Sequence, residues 1–348
     1  MTHRFFQRVT IALGLCGVSG LIAAQPLHIL AYQNPSTLSP VVEVFEQETG
    51  VAVEVTYQSA KQVLETLTSG KQPVDVVLSL EAKRLAALVK AGVLEPVTSG
   101  VLENAVPAHF RHPKNLWFGI SKWSRSVFYA ADRVDPNTII SLQSLTDERW
   151  RGRICVRTAN KVYVQSLLAS MIASKGESVT AAFAQALVKN FARQPVDLDM
   201  AQLSGVAQGV CDIAIANSYY YHRLMDLRYH PLSPEAGQLT RDLLETVKPL
   251  ATGIDGQGVH MNISAVGMAK GAENAAQALQ FMEYLVRPAS QRLLVERGRE
   301  FPIVDGARSS AAQSLFGDFA ESRQPMSALA DHYATAEALT RASGWLWD

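Results

Sequence analysis

The chain has 348 residues, 48% of them hydrophobic, and its 32 basic and 32 acidic residues give a formal net charge of zero. That length accommodates two lobes with separate cores, while nothing in the balanced charge suggests the concentrated basic surface that nucleic acid requires. Beyond the N-terminus no apolar run approaches the roughly 20 residues of a membrane span.

The opening "MTHRFFQRVTIALGLCGVSGLIAA" has a basic start, an apolar stretch and a small-residue finish, the pattern of a secretory signal peptide with cleavage after Ala24. A lipoprotein alternative uses Cys16, although the bulky Leu15 before it suits that processing poorly. Removing residues 1–24 takes away Arg4 and Arg8 and no acid, leaving an exported protein with a charge near −2.

Strand-like and helix-like segments then alternate. "LHILAY" predicts a strand, and "SPVVEVFEQETG" a helix with Ser39 as cap, Pro40 in its first position and Gly50 as its stop. "VAVEVTY", "AKQVLETLTSG", "VDVVLSL" and "AKRLAALVKAG" continue the pattern. Such alternation predicts a mostly parallel sheet covered by helices. A second unit begins at "RICVR", followed by a helix with Val164, Leu167, Leu168, Met171 and Ile172 on one face and Gly176 at its end. "GVCDIAIAN" predicts a strand, a helix follows from His222, "MNISAVGMAK" predicts a strand returning to the first lobe, and two helices come after it. With no flexible linker in view, strands that cross between the lobes are expected, with a cleft at the middle.

Cys155 and Cys211 are the natural pair for a disulfide in an exported protein, the alternative being two separate buried thiols. Each precedes a tyrosine by eight residues, Tyr163 and Tyr219. A bridge between neighbouring parallel strands would therefore carry Tyr163, Tyr219 and Tyr220 to the carboxyl edge of the sheet, where open α/β folds bind ligands. Three ionisable phenols suit a hard cation such as ferric iron. The "TAN" turn before the helix, with Thr158 and Asn160, offers backbone N–H groups to a small anion. Aromatic packing, or a stacking wall for an organic ligand, remains open on the same residues.

"WFGISKWSRSVFYAADRV", "GRICVRTANKVYVQSLLASMI", "GVCDIAIANSYYYHRLM" and "HMNISAVGMAKGAENAAQALQFMEYL" together resemble the periplasmic ferric-iron-binding proteins of bacterial ABC transporters. The similarity is to members that use three tyrosines and a carbonate-type anion, and it runs from about Leu27 to about Pro302. It implies the two-lobed α/β fold of type II periplasmic binding proteins, closing on its ligand. One lobe would take residues 25–123 with about 254–300, the other 124–253 with about 301–348. It further implies Tyr163, Tyr219 and Tyr220 as ligands of Fe(3+), carbonate or another small anion beside them, an inner-membrane permease as partner, a periplasmic location and a monomer that is not an enzyme. Two departures stand out. An arginine that helps hold the anion in similar proteins is Trp123 here, leaving Arg125 with Thr158 and Asn160 as the candidate anion residues. The first loop lacks an arginine and is shorter, so Tyr32 is a less secure ligand. Glu81, just past a strand, is a candidate metal or supporting residue, with a solvated surface position as its alternative.

His109 and His112, in a proline-bounded loop, predict surface residues; His222 predicts a helix start, and His260 carries no assigned chemistry. No G-x-S-x-G elbow, H-E-x-x-H pair or phosphate-cradling glycine loop is present, which disfavours an enzyme on the same scaffold. The second functional reading keeps the fold and takes an organic or anionic solute, with the tyrosines as a stacking wall.

Overall fold

A computed structural model describes residues 25–32, 35–229, 233–304, 307 and 315–345; the expected signal peptide and Cys16 lie outside the described residues. β1 (Leu27–Ala31), β2 (Val53–Tyr57) and β3 (Val76–Leu80) pair in parallel, with β1 between the other two. They are joined by α1 (Pro35–Thr49) and α2 (Ala60–Ser69). α1 starts earlier than Ser39, and Pro40 lies within it. Its buried stripe of Leu38, Val41, Val42 and Phe45 has helical spacing and extends the helix back over Leu38. Pro35 takes the first position, where a missing N–H costs nothing. α2 opens on a capping box between Ser59 and Gln62 and ends at the left-handed Gly70.

α3 (Ala82–Ala91), β4 (Leu94–Glu95) and α4 (Gly100–Ala105) lead into the 13-residue β5 (Phe118–Ala130), which organises the molecule. From Phe118 to Ser124 it pairs with β9 (Met261–Ala269), and from Arg125 to Tyr129 with β7 (Ile213–Asn217). Its last residues, Val127–Ala130, also pair with β8 (Val247–Leu250). One strand thus belongs to both halves of the sheet, passing between them at Ser124 and Arg125. The sheet is mixed, not mostly parallel. Among the described strands, besides the β1 pairs only β6 (Ile154–Cys155) with β7 is parallel, because β5 and β9 run back and forth between the halves.

In the second half, α5 (Val162–Lys175) has every residue from Val164 to Ile172 buried and stops at Gly176. α6 (Glu177–Val188), α7 (Asp199–Ala207), α8 (Ser218–Tyr229) and α9 (Pro234–Thr246) complete its cover. α10 (Ala275–Leu285), α11 (Pro288–Gly298), β10 (Phe301–Pro302) and α12 (Tyr333–Ala342) close the chain. β10 pairs with β5 at Lys122 and Ser121, and α12 packs against α5.

Cys155 and Cys211 are bonded, with Cα atoms 5.8 Å apart. Closing a loop 56 residues long stabilises the fold by about 4 kcal/mol in the chain-entropy model. The expected registry differs. Ala214, not Cys211, faces Cys155 in the β6–β7 pair, and Cys211 precedes β7. The equal spacing of eight residues therefore does not describe equal travel along paired strands.

Candidate phenol cluster at the junction of the two halves

The helix after β7 begins at Ser218, not at His222, so the three consecutive tyrosines occupy the first turn of α8. A helix rotates successive side chains by about 100°, and the three residues diverge accordingly. Tyr221 turns into the core, where its hydroxyl donates to the carbonyl of Val247 at 2.9 Å. Tyr219 and Tyr220 stay together, ring centroids 4.7 Å apart. Ser218 fixes this turn to β5, its hydroxyl accepting from the Ser124 amide at 3.1 Å.

Tyr163 comes from the first turn of α5 and meets Tyr219 through Trp123 of β5. The indole stands edge-on to both rings, at 5.5 Å from Tyr163 and 5.6 Å from Tyr219, and is 1% exposed. The charge of each phenol opposes ionisation of the other across this wedge. Burial pushes the Tyr163 phenol above its usual value and the Tyr219 phenol well above it. The neighbouring phenols and Asp199 push Tyr219 further the same way.

Behind Tyr219 lies a buried ion pair. Arg125 Nη1 donates to Asp199 at 2.9 and 3.1 Å and to Asn217 Oδ1 at 2.9 Å, and Nη2 donates to the Ile215 carbonyl. Asp199 accepts the Asn217 backbone N–H, and Asn217 Nδ2 donates to the Tyr219 oxygen at 2.9 Å. Arg125 Nη1 thus holds both Asn217 and Asp199. An N–H aimed at the phenol oxygen favours its ionised form.

Thr158 donates to Asn160 Oδ1 at 3.1 Å in the turn that opens α5, and no side chain caps that helix. Beside it stands Arg157, 5.1 Å from the centre of the Tyr163 ring, bonded to Asp197 at 2.8 and 3.1 Å and 3.8 Å from Asp199. From α8, Arg223 lies 5.3 Å from the rings of both Tyr219 and Tyr220. On the opposite side Tyr32 follows β1, and the Arg84 guanidinium of α3 lies over its ring at 3.9 Å. The electrostatic influence of Tyr32 and Arg84 reaches Tyr163, so both belong to the same neighbourhood.

Glu81 is drawn away from this cluster. It caps α3, accepts the Lys83 amide at 2.9 Å and takes the Asn262 Nδ2 donor at 2.7 Å. It has no exposed surface, a positive φ of 82° and a carboxyl raised by burial to about 7. Asn262 also donates to Ser166 of α5, which lies near His260, itself held neutral by burial with a value lowered to about 3. His222 packs between Phe301 and Phe316, away from the phenols. Among the described residues no group of three His, Cys, Asp or Glu side chains can hold a metal. Hard-cation chemistry at this place rests on phenol oxygens.

The supporting residues Asn217, Asp199, Arg157, Arg84 and Arg223 were not singled out from the sequence. Only the arginine before "TAN" and the asparagine before "SYYY" carry a local hint, because each adjoins a tyrosine-bearing turn.

Residues 27–300 match the family described as bacterial extracellular solute-binding protein. The chain is 32% identical over 323 residues to iron uptake protein A1 of Synechocystis sp., covering 92% of this chain and 88% of that protein. It is 35% identical over 291 residues to iron uptake protein A2 of the same organism, covering 82% of each. Among solved structures, the Trichodesmium protein IdiA (FutA), in complex with iron and citrate ligands, superimposes with a TM-score of 0.86 at 32% identity, over 92% of this chain and 100% of that one. Apo FutA2 from Synechocystis gives 0.84 at 32% identity, over 92% and 99%. No helix of the described residues is long and apolar enough to cross a membrane. The chain belongs to the bacterial extracellular solute-binding proteins, with the periplasmic-binding-protein fold, in the group that includes the iron uptake proteins.

Proposed function

We propose that this protein captures ferric iron outside the inner membrane through the phenolates of Tyr163, Tyr219 and Tyr220, with a small anion such as carbonate, and hands it to an ABC-transporter permease. The observation that carries this reading is the meeting of Tyr163 and Tyr219, from the first turns of two helices, on the one Trp123 indole, with the Tyr220 ring beside that of Tyr219. Three phenolates balance the charge of the ion, and hard oxygen donors favour it. Thr158 and Asn160, at the uncapped start of α5, offer the anion a helix N-terminus, while Arg125 holds Tyr219 from behind through Asn217. Lobes of residues 25–123 with about 254–300 and 124–253 with about 301–348 would close on the ion as one chain acting alone. The relatives named for iron uptake support the choice of cargo.

Titrating apo protein with a ferric chelate, with and without bicarbonate, tests it. A visible iron-phenolate charge-transfer band is expected, weakened in Tyr219→Phe. A colourless titration leaves only the reading in which the rings stack on an organic or anionic solute.

A further inference from the structure

Charge at the cluster is unevenly compensated. Three phenolates cancel a trivalent ion, so any accompanying anion adds negative charge that nearby cations must offset. Two of those cations are already committed: Arg125 to Asp199 and Arg157 to Asp197. Arg84 and Arg223 make no ion pair among the described residues. Of the two, Arg223 rises from the same helix as the phenols it covers, whereas Arg84 approaches from α3 in the first half of the molecule.

Three features of Arg84 point to a ligand. Its guanidinium carbon lies over the Tyr32 ring, 3.9 Å from the ring centre, a contact that restrains the fork. Its Nη1 is buried with no hydrogen-bond partner among the described residues, a state that is unfavourable unless a partner arrives. A cavity of about 50 Å3 adjoins it, bounded by Tyr32, Ser79, Val63 and Leu64, and that volume gives the side chain room to shift. Its charge also acts on Tyr163 across the junction.

We propose that Arg84 is the anion clamp of the first half: its guanidinium binds the carboxylate-type oxyanion that accompanies the iron, from the side opposite the phenols. This assignment rests on the iron reading above and adds to it a residue, an approach direction and a ligand class. The clamp lies on the wall facing Tyr163, so the anion would bridge the two halves when both engage it. Carbonate and a hydroxycarboxylate such as citrate share this chemistry.

Wild type, Arg84→Gln, Arg84→Lys and the remote control Lys71→Gln are each titrated with ferric ion in three buffers: lacking both anions, with bicarbonate, and with citrate. The readout is the charge-transfer band and, from it, the ratio of apparent affinities with and without each anion. A charge-assisted hydrogen bond corresponds to a ratio of about 10 to 100. Wild type and Lys71→Gln are expected to show such a ratio, Arg84→Gln a ratio near one, and Arg84→Lys an intermediate value because the charge survives without the fork. Loss of the ratio in the bicarbonate arm identifies carbonate; loss in the citrate arm identifies the organic acid. An unchanged ratio in Arg84→Gln for both anions, with the band present, overturns the clamp and leaves the iron reading standing. Absence of the band in wild type overturns the iron reading itself.

Discussion

The two sides of the phenol cluster are built on different terms. On the β7–α8 side, Tyr219 is fixed by Asn217, which is fixed in turn by the buried Arg125–Asp199 pair, so the phenol is backed by a continuous chain of hydrogen bonds. On the α3 side, Tyr32 is held by one stacked guanidinium beside a small cavity, and Glu81 faces the junction between the halves instead of the phenols. The contrast teaches that a site can divide its labour: one wall supplies rigid, pre-positioned donors, and the other supplies adjustable charge.

Removing one partner of the rigid wall is expected to have the largest effect. Arg125→Met leaves Asp199 buried with only Arg157, 3.8 Å away, to offset its charge, and is expected to cost about 3 kcal/mol in chemical denaturation, with Asn217 losing the support that aims its donor at Tyr219. A cost below about 1 kcal/mol would show that the pair does not order this side.

Next comes the junction. The Glu81 carboxyl is raised from 4.5 to about 7. Below about pH 4.5 both folded and unfolded chains carry it protonated, and its contribution to stability is intact. As pH rises through about 7 the unfolded chain ionises more readily, and about 3 kcal/mol is lost. His260, lowered from 6.5 to about 3, acts in the opposite sense: its contribution is intact above about 6.5 and is lost as pH falls toward 3. Between about pH 4.5 and 6.5 the two slopes oppose one another. Wild-type stability is therefore expected to be nearly flat there, and Glu81→Gln is expected to unmask a decline of about 1.4 kcal/mol per unit of falling pH. Identical profiles for the two proteins would mean that these groups are not linked to folding as described.

Tyr219→Phe is expected to weaken ferric binding by at least about 100-fold, as loss of a ligand exceeds the usual cost of losing a supporting group. Each phenol that ionises on binding displaces a proton, so wild-type affinity should fall by up to about tenfold per phenol for each unit of falling pH. Tyr221→Phe is the smallest change. It removes the hydrogen bond to Val247, costs about 1 kcal/mol of stability, and leaves the charge-transfer titration where it was.

Periodicity and turn chemistry made the α/β alternation, the Gly50 and Gly176 stops and the cysteine pair readable, since each depends on neighbours within a few residues. The sheet direction was not readable, because it is set by β5 and β9 running between halves far apart in sequence. The convergence of Tyr163, Tyr219 and Tyr220 was anticipated, but for a reason the structure does not bear out. The tyrosines meet through two helix starts and the Trp123 wedge, and Cys211 does not lie opposite Cys155. Nor could Arg125 be assigned from spacing, because its partner Asp199 arrives from α7, 74 residues away.

Trp123 has an optical consequence. Its indole touches both Tyr163 and Tyr219, whereas Trp117, Trp150 and Trp345 pack elsewhere. A paramagnetic ion held between those phenols would quench the emission of this one indole selectively. The protein therefore carries its own fluorescent gauge of occupancy, and replacing Trp123 by phenylalanine should silence that signal while the emission of the others persists.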